Sequence, residues 1–145
     1  KQTATHLQNA AIKITVNKDE HQRGTNITAK RLRFDFNCDH KLTDEEKQNT
    51  EKLVNEWIKA GLDVTVEEMS KNDAINSGAE CMFIEKYPDI VTVYSIGNEK
   101  YRTVSKELCG GQHVKNTSVL GTFKIKKEEA SSAGVRRIKA ILEES

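Results

Sequence analysis

Three stretches of the chain have the residue spacing of helices. Near the start, apolar residues recur every three or four positions and predict a short amphipathic helix; they are Leu7, Ala10, Ala11 and Ile14. A capping box that begins at Thr43 precedes a long helix with one apolar face, which we expect to end at Gly61. Ser70, with an acidic residue three positions later, predicts the cap of a third, short helix that closes at Gly78.

Alternating apolar and polar residues predict strands between and after these helices. We expect strands at residues 32–36, 62–66, 81–83, 90–96 and 121–125. The polar segment 19–25 contains Gly24 and indicates a loop or hairpin, and residues 98–102 indicate a polar bulge in a connection. The tail from Val135 fits a helix by its spacing. Together the elements predict one α+β domain over residues 1–145, with helices packed over a largely antiparallel β-sheet.

Composition narrows the class of protein only in part. Charged residues make up 31% of the chain but sum to a formal charge of +1, so any basic surface for nucleic acid must be local. No apolar run is long enough to cross a bilayer and no signal peptide is visible, so we expect no membrane partner and a cytoplasmic location. Three cysteines form no disulfide framework, which favours a reducing compartment. Lys1 in place of methionine indicates a fragment of a longer polypeptide.

The strongest chemical signal is a cysteine and a histidine separated by two glycines and one further residue. Cys109 and His113 are spaced to grip one soft cation, and the intervening glycines let the backbone turn tightly. His6 is a candidate third ligand, although a histidine beside an apolar helix face is more often a core residue.

A second group, Cys38 with His40, has no obvious third ligand nearby. We therefore expect both to be ordinary surface residues. Similarly, Arg31 and Arg33 alternate with the apolar residues of their strand, and a solvated face is the simpler interpretation.

Several motifs, in this order along nearly the whole chain, closely resemble the editing domain of bacterial alanyl-tRNA synthetase, of the threonyl/alanyl-tRNA synthetase second additional domain superfamily. The matching stretches are Thr3-Ala4-Thr5-His6-Leu7, Gln22-Arg23-Gly24-Thr25, Leu32-Arg33-Phe34-Asp35-Phe36, and Glu107-Leu108-Cys109-Gly110-Gly111-Gln112-His113-Val114 with the segments that follow it. The resemblance implies that the tail from Val135 is a strand through about Ile141. It also makes contact of the two arginines with tRNA phosphate an alternative to the solvated face.

The resemblance implies a hydrolytic function. Members of the family remove serine or glycine wrongly attached to tRNA for alanine by hydrolysing the ester at the terminal ribose. The implied metal ligands are His6, Cys109 and His113, holding one Zn²⁺ per domain that is either catalytic or structural. The implied catalytic residues are Gln22, Thr5 and Cys109, with Thr5 and Gln22 as candidates to recognise the serine hydroxyl. The implied partners are the acceptor end of tRNA(Ala) carrying a wrong amino acid and the rest of the synthetase chain.

Two departures from the family pattern fall at this site. Gln2 occupies the position of the family's fourth ligand, a histidine, and an amide oxygen is a poorer zinc ligand than imidazole. Gln112 stands where the family usually has threonine. The site is then either an intact three-ligand centre with a water, or a weakened one in a non-catalytic tRNA-acceptor-binding module. A free-standing editing protein of the same superfamily is a third alternative.

Overall fold

The computed structural model describes residues 2–16, 20, 22–28, 31–79, 86–109 and 113–143. Within those residues the chain forms α-helices, β-strands and one 3₁₀ helix. In chain order the elements are α1 (Gln2–Thr15), β1 (Gln22–Ile27), β2 (Arg31–Asn37), α2 (Asp44–Ala60), β3 (Asp63–Ser70), α3 (Lys71–Asn76), β4 (Ile90–Asn98), β5 (Arg102–Leu108), the 3₁₀ helix (Thr117–Leu120), β6 (Thr122–Ser132) and β7 (Val135–Glu143).

The strands of the described residues form two sheets. One has the order β1-β2-β7-β6 and the other the order β3-β4-β5, and all their pairings are antiparallel. The predicted α+β class is thus confirmed, with the antiparallel strands divided between two sheets. The tail is strand β7, as the resemblance implied. Among the described residues, no helix combines the length and hydrophobicity that crossing a membrane requires.

The main core lies between the four-stranded sheet and the helices α1 and α2. Strand β2 alternates as predicted and buries Leu32, Phe34 and Phe36 on the covered face. Val54, Trp57 and Ile58 of α2 join this cluster together with the apolar residues of α1. Helix α1 is buried along ten consecutive positions, Thr3–Ile12. A helix enclosed on this scale is fixed by tertiary packing rather than by its own propensity.

The caps that the sequence predicts are present. The Thr43 hydroxyl accepts a hydrogen bond from the Glu46 backbone N–H at 3.0 Å, and the Glu46 carboxylate accepts one from the Thr43 N–H at 2.9 Å. Gly61 ends α2 at φ +68°, in the left-handed region that favours glycine. Ser70 caps α3 by accepting from the Asp73 N–H at 3.1 Å.

The pattern of apolar and polar residues predicted neither strand β1 nor strand β5 as a strand. Residues 22–27 form the first strand of a hairpin with β2, so only the hairpin alternative for segment 19–25 is correct. Strand β5 buries Ser105 and Glu107, and polar residues on the buried face hide the alternation on which the prediction depends. The predicted bulge at 98–102 is the turn between β4 and β5. The predicted strand at 81–83 lies outside the described residues.

One predicted surface position is buried instead, and so is one polar residue of β2. Cys38 is only 5% exposed and packs in the main core, so its assignment to the surface was wrong, although His40 is exposed. Asp35 also faces away from the core, yet it is buried because Arg137 forms two hydrogen bonds to its carboxylate, at 2.9 and 3.1 Å. A bidentate pair of this kind fixes the arginine side chain over the carboxylate.

Thr117 provides a test of how the 3₁₀ helix is attached to α2. Its buried hydroxyl accepts from the Leu62 N–H at 2.9 Å and donates to the Trp57 carbonyl at 2.8 Å. Thr117→Val keeps the shape but leaves a buried N–H unpaired, so we expect the free energy of unfolding to fall by about 1–3 kcal/mol. Urea denaturation measures this loss. The control Thr65→Val, at an exposed position of β3, should change it by no more than about 0.5 kcal/mol.

Candidate metal centre

Three side chains from distant parts of the chain meet at one point. His6 lies in α1, Cys109 follows β5, and His113 precedes the 3₁₀ helix. One possible ligand atom from each residue lies within 4.8 Å of the other two. The Nε2 atom of His113 is 3.4 Å from the Cys109 Sγ atom, and the two imidazole rings are 4.5 Å apart between centroids. The structure thus brings together the three residues predicted as metal ligands; metal binding itself stays a prediction.

Thr3 fixes the other side of the His113 ring. Its hydroxyl oxygen is 2.9 Å from the His113 Nδ1 atom and accepts a hydrogen bond from the Val114 backbone N–H at 3.1 Å. Tyr94 of β4 stacks on the same imidazole, with ring centroids 3.9 Å apart. The His113 ring is therefore held by a hydroxyl at one nitrogen and by an aromatic face, so that its Nε2 atom points at the cysteine.

A carboxylate occupies the corresponding position beside His6. The Oε2 atom of Glu107 lies 3.7 Å from the His6 Nδ1 atom, and the Ser105 hydroxyl donates to the same oxygen at 3.3 Å. All three side chains are buried. Carboxylates commonly orient metal-bound histidines in this way. Sequence reasoning missed Glu107 as a functional residue, although the period of a strand places it on the same side of the chain as Cys109, two positions later.

Burial sets the protonation of both imidazoles. Desolvation, with a smaller contribution from the neighbouring His113, lowers the pKa of His6 to about 3. Desolvation likewise lowers the pKa of His113 to about 4. Both rings are consequently neutral at pH 7, which is the state that binds a metal.

A cleft of about 710 Å³ opens next to this cluster. Its walls come from α1, β5 and the end of α3, and include Asn9, Lys13, Ser77, Ser105 and Glu107. Glu107 belongs both to this wall and to the His6 contact. His6, Cys109 and His113 do not line the cleft themselves, so Glu107 is the residue that connects the two.

The remaining predicted site residues lie on the same elements or outside the described part. Thr5 is buried in α1 next to His6, and Gln2 lies one helical turn before His6, on the same side of the helix. Gln22 is the first residue of β1, and the structure describes its backbone only. Gln112 lies outside the described residues.

The second cysteine and histidine group has a third candidate ligand in Asp39, so the prediction that none lies nearby was wrong: one possible ligand atom from each of Cys38, Asp39 and His40 lies within 4.8 Å of the other two. These side chains also form hydrogen bonds. The two ring nitrogens of His40 lie 2.8 Å from an Asp39 carboxylate oxygen and 3.0 Å from one of Glu46. The hydrogen bond to Asp39 is the main cause that raises the pKa of His40. Burial raises the pKa of the Cys38 thiol. Both His40 nitrogens are thus engaged with carboxylates, and the raised pKa keeps the Cys38 sulfur as a thiol, which is a weaker metal ligand than a thiolate. This group is therefore less suited to a metal than the first one.

Comparison with known proteins places the chain in a family. Residues 91–139 match the model of the "Threonyl and Alanyl tRNA synthetase second additional domain". The chain is 52% identical over 143 residues to an alanine–tRNA ligase of Treponema pallidum and 53% identical over 140 residues to one of Borrelia hermsii. These matches cover 99% and 97% of the chain but only 23% of each relative. A chloroplastic/mitochondrial alanine–tRNA ligase of Micromonas pusilla is 48% identical over 139 residues, 96% of the chain and 15% of the relative.

In metal-free protein, the pKa values of the three described histidines should be shifted in different directions from the ordinary histidine value. We expect His6 and His113 to titrate well below pH 6.5, because burial disfavours their charged forms, and His40 to titrate above it. Between about pH 4 and 6.5 the unfolded chain then binds more protons than the folded chain, so the free energy of unfolding falls as the pH is lowered through this window. Within this window His6 alone changes the free energy of unfolding by about 1.4 kcal/mol per pH unit.

Proton NMR of the histidine ring resonances, with EDTA present and assignments from single histidine variants, measures the three pKa values. Titration of His6 near pH 6.5 would show that it is exposed to water and would contradict the buried site. His40 serves as the internal control, because its pKa is raised and not lowered. The stability that His40 contributes is present below pH 6.5 and is lost as the pH rises through its raised pKa.

Proposed function

Because this chain belongs to the second additional domain family of the threonyl and alanyl tRNA synthetases, we propose that it is the editing domain of an alanine–tRNA ligase. In this proposal it hydrolyses the ester that joins serine or glycine to the acceptor end of tRNA for alanine. The observation that carries the proposal is the meeting of His6, Cys109 and His113 beside the cleft. The rest of the synthetase chain is its proposed partner, since the chain spans only about a quarter of the curated relatives cited above.

The chemistry of the three donors fits zinc. Two imidazole nitrogens and one cysteine sulfur are ligands that Zn²⁺ prefers, and three protein ligands with one open position are typical of catalytic zinc. The Thr3 and Glu107 contacts lie at the Nδ1 atoms of His113 and His6, which leaves the two Nε2 atoms for the metal. The His6 Nδ1 atom is buried with no hydrogen-bond partner among the described residues. The Glu107 carboxylate 3.7 Å away would accept the Nδ1 proton of a His6 ring that held a metal through Nε2.

The cleft fits the end of an aminoacyl-tRNA. A volume of about 710 Å³ falls within the roughly 300–1,000 Å³ that small-molecule sites occupy, and an aminoacyl ribose is a ligand of that size. An ester is easier to hydrolyse than an amide, so the site must mainly position a water and the acyl carbon. When bound, zinc supplies a Lewis acid that stabilises negative charge on the acyl oxygen.

Selectivity requires that the site spare alanine. Alanine lacks the hydroxyl of serine and exceeds glycine by one methyl group, so a single synthetic site cannot exclude both wrong amino acids by size. A second site that hydrogen-bonds the serine hydroxyl rejects alanine, because its polar groups would then be left unpaired. Thr5, beside His6 in α1, and Gln22, at the start of β1, are the proposed residues for this contact.

The competing function is a tRNA-acceptor-binding module without hydrolysis. The observation that favours it is Gln2, which stands one turn before His6 where the family has a fourth zinc ligand. Both functions use the same fold, so activity and metal content must separate them.

A combined zinc and deacylation measurement tests the proposal. We expect about one zinc per chain for the parent, and loss of most of it in Cys109→Ala and His113→Ala, because two donors are too few for a stable site. We also expect the parent, but neither variant, to release serine from seryl-tRNA for alanine faster than the spontaneous rate. Cys38→Ala and His40→Ala are the matched controls, and both should retain zinc. Equal zinc in all five proteins would refute the metal site, and tRNA binding without serine release would establish the competing function.

Gln2→His isolates the effect of the missing fourth ligand. An imidazole is a stronger zinc ligand than an amide, so we expect the dissociation constant for zinc to fall by about tenfold or more. Competition with a fluorescent chelator measures this change. Gln48→His, at an exposed position of α2, is the control and should leave zinc affinity unchanged. Unaltered affinity in Gln2→His would mean that residue 2 does not reach the metal.

A further inference from the structure

The outer face of the four-stranded sheet carries rows of like charge. Arg33 of β2 lies directly opposite Lys139 of β7, and Lys139 lies opposite Lys127 of β6. In the next row, Arg31 and Lys124 flank Ile141. Cations that face each other across strands destabilise a sheet. This arrangement therefore lowers the stability of the fold, and the fold itself does not require it.

Nearby carboxylates neutralise only part of this charge. Asp35 is engaged with Arg137 and lies 4.0 Å from Arg33, and Glu129 forms an ion pair with Lys139 at 3.0 Å. Glu143 is at the end of β7. In the described part of the chain, no carboxylate forms an ion pair with the remaining exposed cations of this face; they are Arg31, Lys124, Lys126 and Lys127.

Two of these cations, Arg31 and Lys126, line a shallow groove of about 600 Å³ together with Arg33 and Lys139. Ile141 forms its floor with Leu32 and Ala140, whose side chains are buried on the covered face, and Asn26 and Thr28 complete the rim. Neighbouring strands are about 4.8 Å apart and outward residues of one strand about 6.7 Å apart, so the cations of this face form an extended lattice, which a register shift between Ile125 and Lys127 interrupts in β6. Such a lattice complements a chain of phosphates better than a single small anion.

We propose that this basic sheet face, defined by Arg31, Arg33, Lys124, Lys126, Lys127 and Lys139, binds the sugar-phosphate backbone of an RNA duplex. Charge complementarity identifies the partner: the face offers guanidinium and ammonium groups with few carboxylates, and RNA offers phosphates at fixed intervals. Contacts of this kind position the RNA and do not read its sequence.

The basic sheet face and the metal cluster lie on different sides of the sheet. Helices α1 and α2 cover the opposite face, and His6 is part of α1. The RNA bound here is therefore a double-helical part and not the 3′ end that enters the cleft. That the bound polyanion is RNA, and tRNA in particular, rests on the proposed function, whereas binding of a phosphate backbone rests on the charges.

Salt dependence of RNA binding tests the proposal. The parent chain and Arg31→Gln/Lys126→Gln/Lys127→Gln are titrated into a fluorescein-labelled RNA hairpin that reproduces an acceptor-stem duplex, at about 50 to 200 mM KCl. Each lost phosphate contact should reduce the slope of log K against log salt by about 0.7–0.9, so we expect the triple variant to lose about 2 to 3 in slope. The control Lys41→Gln/Lys52→Gln/Lys59→Gln removes the same charge from α2 and the loop before it, and should keep the parent slope.

Seryl-tRNA deacylation, measured beside binding, separates this proposal from the proposed function. If the parent releases no serine but the triple variant loses slope, the RNA-binding face stands and the editing function fails. If the parent releases serine while both triple variants keep the parent slope, the editing function stands and the RNA-binding face is refuted. Equal loss of slope in both triple variants also refutes it, because net charge alone would then explain the binding.

Discussion

Burial of α1 over Thr3–Ile12 is the constraint on which both the fold and the candidate site depend. This helix contacts α2, β1, β5 and the 3₁₀ helix, so every side of it meets a neighbour. Leu7 and Ala11 join the main core, while Thr3 and His6 reach His113 and Glu107. Core packing and ligand geometry are consequently set by one rigid element. A shift of α1 that loosened the core would also separate His6 from the two ligands that lie more than a hundred positions later.

The same burial explains the electrostatics of the site and its cost. Removing the two imidazoles from water lowers their pKa and keeps them neutral at pH 7, which is the protonation state that a metal ligand requires. The cost is visible along α1. Gln8 is fully buried, and its amide atoms have no hydrogen-bond partner among the described residues. Unpaired buried polar groups cost about 1–3 kcal/mol each, so this helix is not optimised for stability. Local rules of packing are typically broken where function requires particular side chains.

Sequence reasoning succeeded where a feature depends on residues that are close together in the chain. The capping box, the glycine that ends α2 and the apolar alternation of β2 act through neighbours a few positions away, and all three were predicted. Strand β5 was missed because its buried face carries Ser105 and Glu107, which belong to the site and not to an apolar core. Tyr94 and Thr3 were missed as partners of His113 for a different reason. Their contacts depend on how β4 and α1 are placed in three dimensions, and no local pattern encodes that placement.

The formal net charge of +1 does not reveal where on the surface the charged residues lie. Acidic residues are concentrated elsewhere, for example in the first turn of α2, where they interact favourably with the helix dipole. The basic residues that offset them lie on the outer face of the four-stranded sheet. Because salt screens surface charges over about 8–10 Å, a ligand at that face experiences the local cations and not the net charge of the chain.

The register of the strands keeps these cations together. Burial of Phe34 and Ile138 on the covered face fixes the strand pairing, and that pairing forces Arg33 and Lys139 to face each other. The hydrophobic core thus maintains a charge pattern that the sheet alone would disfavour.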